Sequence, residues 1–249
     1  MFTVKEFLNF KNSKTQIIIL SVIAILCLFF VRSMFHQTIP IFRYPMYAPI
    51  QFQGNFDPIQ IRSSAEYDLF INIYDQLVHY GEQNEMIGGV SSKVYWHDKE
   101  LVFEFHNDKK TSLNQFITAK DAYYSILRSL KYQNHDLSGL GGLLCPELKR
   151  ESSQFSCSGL VLKENKLIFK LQKPHFRQFI LEMLASPEYS VIPYSSIDWK
   201  QKYPEIIDYE NTTGAYYLQK DHQQGNWIFA ANKYFQYYHR LMPQIIEFV

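Results

Sequence analysis

Hydrophobic residues change their spacing several times along this chain, and each change marks an element. Ile17–Val31 is almost unbroken, with only Ser21 polar and Cys27 weakly so. Residues 36–63 contain Pro40, Pro45, Pro49 and Pro58. Proline fixes φ and removes a backbone donor, so this stretch reads as extended chain, with Ile39, Ile41 and Phe42 as edge-strand residues. Tyr67, Phe70, Ile71, Tyr74, Leu77 and Val78 then recur at steps of three and four, which predicts a helix ending before Tyr80-Gly81. Val90–Trp96 is β-branched and aromatic in parts. Glu100–His106 alternates, with Leu101, Phe103 and Phe105 on one face and Val102, Glu104 and His106 on the other. The short link His97-Asp98-Lys99 makes the two a hairpin.

Thr118-Ala119-Lys120-Asp121 has the spacing of a capping box, in which Thr118 caps a helix and Asp121 reaches back. Tyr123, Ile126, Leu127 and Leu130 form that helix's apolar stripe, and Arg128 and Lys131 stand near its end. Leu160–Leu162 and Lys166–Leu171 flank Lys163-Glu164-Asn165 as a second hairpin. Pro174 opens a helix with Phe176, Phe179, Ile180, Met183 and Leu184 on one face, closed by Ser186-Pro187. A third hairpin pairs Ala215–Lys220 with Trp227–Asn232 across 221–225, and Pro243–Val249 begins a further strand. Hairpins mixed with helices place the chain in the α+β or mixed α/β class.

Three lysines (Lys5, Lys11, Lys14) precede the apolar run and Arg32 follows it. With its flanks the segment 15–35 approaches the length of about 20 residues that a membrane span needs. It reads either as an uncleaved anchor or as a cleaved signal, and Val31-Arg32-Ser33-Met34-Phe35 offers no small-x-small cleavage site. The lysines keep residues 1–14 in the cytoplasm and send the remainder across the inner membrane, to the periplasmic or extracellular side. Composition is that of a globular protein, 47% hydrophobic and 20% charged over 249 residues. Formal net charge is +1 with no basic stripe, so a nucleic-acid partner has no electrostatic support. Aromatics make up 16% of the chain; such rings fill cores and also line ligand clefts.

In an oxidising compartment Cys145 and Cys157 can close a disulfide around the polar stretch between them, the alternative being two thiols. No further His or Cys stands at metal-ligand spacing nearby, so neither a metal nor a cofactor is expected. Gly139-Leu140-Gly141-Gly142 lacks the Lys-Ser/Thr of a phosphate loop, and no hydrolase elbow or His-Glu-x-x-His pair occurs. Asp68 and Asp75 lie one heptad apart on the first predicted helix, as on a solvated face. Asn211-Thr212-Thr213 matches a glycosylation acceptor. An exported chain rich in aromatics and without a catalytic constellation points to a binder and not an enzyme.

Four segments, in order, resemble the extracellular solute-binding proteins of peptide and nickel ABC transporters, the family 5 type. They are Phe56-Asp57-Pro58 with Asn72–Val78, Leu101–Phe105 through Ile117–Ser125, Leu167–Leu171 with Pro174–Leu184, and Thr213–Leu218 followed by Asn232-Lys233-Tyr234-Phe235. One departure is Asn114-Gln115, where the family has Asp-Gly, so a turn of different geometry is expected.

The resemblance implies a partial fold of the periplasmic-binding-protein type II kind. Residues 39–63 and 190–249 would form its first lobe and 64–189 an additional subdomain, with the second lobe missing. It further implies a substrate-binding component of an importer for peptides or similar solutes, truncated, with an ABC permease as partner. Arg62 and Ser64 match the positions that reach the ligand in peptide-binding members. The alternative is a membrane-anchored interaction module on the same fold that binds no solute.

Overall fold

A computed structural model describes residues 21–28, 41–44, 56–83, 85–133, 139–148, 156–171, 176–219 and 227–248. Residues 21–28 are helical with exposed side chains, and the rest of the apolar segment lies outside the described residues. Among the described residues no helix is long and apolar enough to cross a membrane, so a spanning helix over 15–35 is not shown. The chain from Ile41 onward is a compact unit of its own.

That unit has two hydrophobic cores. The first lies under a four-stranded antiparallel sheet formed by β4 (Lys93–His97), β5 (Glu100–Glu104), β6 (Leu160–Lys163) and β7 (Lys166–Lys170), in the order β4-β5-β7-β6. Both predicted hairpins are present. Their two-residue turns begin at Asp98 and Glu164, each at φ 52°, the positive φ that tight hairpins require. In register, Trp96, Leu101, Phe169 and Leu160 form one inward row, and Val94, Phe103 and Leu167 belong to the next. These rows pack on the helix α2 (Ala119–Gln133), whose Ile126, Leu127 and Leu130 are fully buried. Thr118 and Asp121 form the expected reciprocal cap: the Thr118 amide donates to Asp121 Oδ2 (2.8 Å) and the Asp121 amide to Thr118 Oγ1 (3.4 Å). Two shorter helices complete this layer, α3 (Leu140–Leu144) and α4 (Arg177–Leu184). Cys145 and Cys157 are joined as a disulfide, their Cα atoms 4.9 Å apart, within the same core.

The second core gathers Phe56, Leu69, Phe70, Ile73, Tyr74, Ile192, Ile197, Ile206, Tyr216 and Phe229. Its sheet joins β1 (Ile41–Tyr44), β12 (Ile245–Phe248), β11 (Trp227–Ala231) and β10 (Tyr216–Leu218) in that order, with β1 parallel to β12 and the other pairs antiparallel, and β8 (Ile197–Asp198) pairs separately with β9 (Glu205–Ile206). Here β10 and β11 are the predicted third hairpin; the loop 221–225 lies outside the described residues. As expected, Ile41 and Phe42 stand on an edge strand and Ile245–Phe248 is a strand, while Ile39 lies outside the described residues. Phe56 is the hub of the core, with edge-on contacts to Tyr209, Trp227 and Phe229 at centroid distances of 4.7–5.8 Å.

Helix α1 (Ser64–Ile73) is shorter than its periodicity predicts. Tyr74 leaves the helix in an extended conformation, and Val78–Tyr80 forms β2, paired with β3 (Met86–Gly88). Tertiary partners take over the backbone here. The Gly214 amide donates to Ile73 O, the Val191 amide to Asp75 O, and the Asp75 amide to Thr213 Oγ1, each at 2.9 Å. Three bonds from outside the helix outweigh a local propensity that is weak for Tyr, Asp and Val. α1 sends Leu69, Phe70 and Ile73 into the second core. Its Asp68 is exposed, but Asp75 lies beyond the helix and is 4% exposed, which corrects the shared solvated face expected of the two.

Candidate functional site

Arg62 and Ser64 stand at the N-terminus of α1, and both are exposed. The residue between them does the capping: Ser63 Oγ accepts from the Glu66 amide, and Glu66 Oε2 accepts from the amides of Ser63 and Arg62. This box uses Arg62 only through its backbone, leaving the guanidinium and the Ser64 hydroxyl outside the cap. Asp57, five residues before Arg62, caps the 3-10 turn Pro58–Gln60 through the Ile59 amide.

Asp57 also anchors the approach to α1. Its carboxylate takes two parallel bonds from the Arg128 guanidinium, whose Nε donates to Pro204 O at 2.8 Å. Both side chains are buried, at 3% and 1% exposure. The sequence placed Arg128 near a helix end, whereas it lies inside, tying α2 to the loop that leads into α1. A charge this deep persists only when paired and hydrogen-bonded on every side.

A second polar node joins the two cores. Asp75 Oδ1 pairs with His79 Nε2 and accepts from the Gln76 amide, while Gln236 Nε2 reaches Asp75 Oδ2 (3.5 Å) and Gly89 O (3.3 Å). The Lys109 ammonium donates to the carbonyls of Gly89 and Ser91. Burial pushes the Lys109 pKa down, against the pull of Asp75 and Asp108. Beside this node an open cavity of about 550 Å³ is bounded by His79, Tyr80, Glu82, Glu85, Ile87 and Tyr237. Arg62 and Ser64 do not line it.

Other candidates resolve into structural roles. Asn211 is 1% exposed and its amide donates to Gln115 and Ser195, so the glycosylation acceptor is closed to modification. Asn114 takes φ 63° in the turn that replaces the expected Asp-Gly, a left-handed position that Asn tolerates. Among the described residues no group of three or more His, Cys, Asp or Glu could hold a metal ion.

No protein-family model and no curated sequence matches the chain. Solved structures do. The murein tripeptide-binding protein MppA of Escherichia coli superposes with a TM-score of 0.66 at 16% identity, over 85% of this chain and 43% of its own. OppA of Listeria monocytogenes bound to peptide gives 0.64 at 15%, over 84% and 42%. NikA of Brucella suis in complex with Fe(III)-EDTA gives 0.64 at 16%, over 84% and 39%. The chain has the fold of these solute-binding proteins. It spans about two-fifths of the length of each.

Against that fold, the segments that carry the resemblance prove to be its internal fastenings. Asp57 holds Arg128, Asp121 caps α2 and accepts from the Tyr194 amide, Thr213 bonds Val191 O, and Asn232 bonds Gly214 O. None of these groups is free to meet a ligand. Arg128, Lys109 and Gln236 escaped sequence reasoning, because nothing in their local spacing distinguishes a buried charge or amide from a surface one.

Proposed function

We propose that this chain provides the first lobe and the additional subdomain of a non-catalytic solute-binding component of an ABC importer, for peptides or similar small solutes. The observation that carries the proposal is the superposition on proteins whose structures include one bound to peptide and one in complex with a metal chelate, over 84% of this chain. The lobe comprises 39–63 and 190–249 and the additional subdomain 64–189, whose α1 packs into the second core. The exported part works beyond the inner membrane behind 15–35 as anchor or signal, where a permease receives the solute. Arg62 and Ser64 face the solute, since the cap leaves both side chains uncommitted, and binding proceeds by enclosure in a cleft.

Calorimetric titration of the full chain with a peptide library tests this. A binding peptide should lose affinity several-fold on Arg62→Ala and on Ser64→Ala, with an unchanged melting temperature because Ser63 and Glu66 keep the cap. Absence of heat with every peptide, together with a protein that co-purifies, would instead support an anchored interaction module.

A further inference from the structure

The outward face of the β4-β5-β7-β6 sheet carries a row that a solvated face does not require. In register, Tyr95, Val102, Ile168 and Val161 stand side by side across all four strands. The opposite face already packs on α2, and an antiparallel sheet with one wet face alternates apolar inward with polar outward. Val102 is only 4% exposed although it points outward. Polar rows flank this apolar one: Lys93, Glu104, Lys166 and Lys163 on one side, His97, Glu100 and Lys170 on the other. Between them lies a depression of about 470 Å³ bounded by Tyr95, His97, Glu100, Lys163, Glu164 and Lys166, with Val102 and Ile168 as its floor.

Most charges around it are matched. Glu104 accepts from Lys166 (2.7 Å) and the Tyr95 hydroxyl (2.7 Å), and His106 lies at 3.2 Å, a set that fixes the Tyr95 ring as one wall. Glu100 has Lys170 at 4.0 Å. Two charges remain at the hairpin end, Lys163 and Glu164, neither with an ion pair among the described residues. Lys163 stands directly opposite Lys166, a like-charge pairing that is unfavourable in a sheet. One uncommitted cation and one uncommitted anion beside an apolar floor complement a zwitterion with an apolar side chain.

We infer that this depression binds an apolar α-amino acid. The ligand's carboxylate meets Lys163, its ammonium meets Glu164, and its side chain lies on Val102 and Ile168 against Tyr95. The site stands on elements other than α1 and does not depend on the importer reading. Titrating L-phenylalanine into the isotope-labelled full chain should give saturable amide shifts confined to the four strands β4–β7 and their turns. Lys163→Gln and Glu164→Gln should each weaken binding by about two- to fivefold, the upper range for one exposed ion pair, with unchanged circular dichroism. Phenylacetate and phenethylamine, each lacking one charge, should bind more weakly by the same factor. No saturable shifts at these residues, shifts indifferent to both substitutions, or equal binding of the singly charged analogues would overturn the inference.

Discussion

Replacing Arg128 by Met keeps most of the stem volume but removes the guanidinium from between Asp57 and Pro204. Asp57 would then hold a carboxylate at 3% exposure with, among the described residues, the Ile59 amide alone still donating to it, and Pro204 O would lose its 2.8 Å donor. Stranding one partner of a buried ion pair costs about 3–5 kcal/mol, a large share of the ~5–15 kcal/mol that holds a domain together. For a unit of about this size each kcal/mol moves the midpoint ~2–4 °C, so R128M should melt roughly 10 °C below the parent chain. The double variant D57N/R128M buries no lone charge, and the side-chain carbonyl of the substituted amide can still cap the turn. It should therefore be more stable than R128M alone. Urea titrations followed by circular dichroism measure both. A loss below about 1 kcal/mol for R128M, or a double variant as unstable as the sum of the singles, would refute the argument that this pair is an internal fastening.

Two further outcomes follow from the geometry. Glu104 is held down at about 2 by the Lys166 hydrogen bond first and the Tyr95 hydroxyl next, against a usual value of 4.5. A depressed carboxylate stabilises the fold above its unfolded pKa, so the stability gap between the parent and Glu104→Gln should be full above pH 4.5 and close as pH falls to about 2. Denaturant midpoints across that range check it, and a gap independent of pH would contradict it. At Gly214 an added Cβ would come within 2.5 Å of the Ile73 carbonyl carbon, where β10's approach crosses the end of α1. Gly214→Ala should thus cost about 1–3 kcal/mol in thermal melts, through forced backbone displacement.

Alternation and capping made much of the four-stranded sheet β4–β7 and of α2 legible from sequence. The hairpins around Asp98 and Glu164 and the start of α2 at Thr118 depend on contacts between residues a few positions apart, and there local spacing determines the outcome. Local spacing fails where distant segments compete for the same backbone. The apolar period of Tyr67–Val78 describes one continuous helix, yet Gly214, Val191 and Thr213 take the backbone groups of Ile73 and Asp75 and turn the chain into β2. The same limit governs the charges. Asp75 has the period of a helix face, and Arg128 has the position of a helix-end cation; only the folded chain places His79 on the first and Asp57 on the second. That Ser63 and Glu66 form the cap at the start of α1, with Arg62 and Ser64 exposed beside it, needed the structure. By itself, the sequence determined the three hairpins, the start of α2 and the mixed class of the fold, because periodicity and turn chemistry act over a few residues. Which polar groups fasten the interior and which stay at the surface was decided by tertiary structure, because the deciding partners, such as Arg128 for Asp57 and Gln236 for Asp75, stand 71 and 161 positions away.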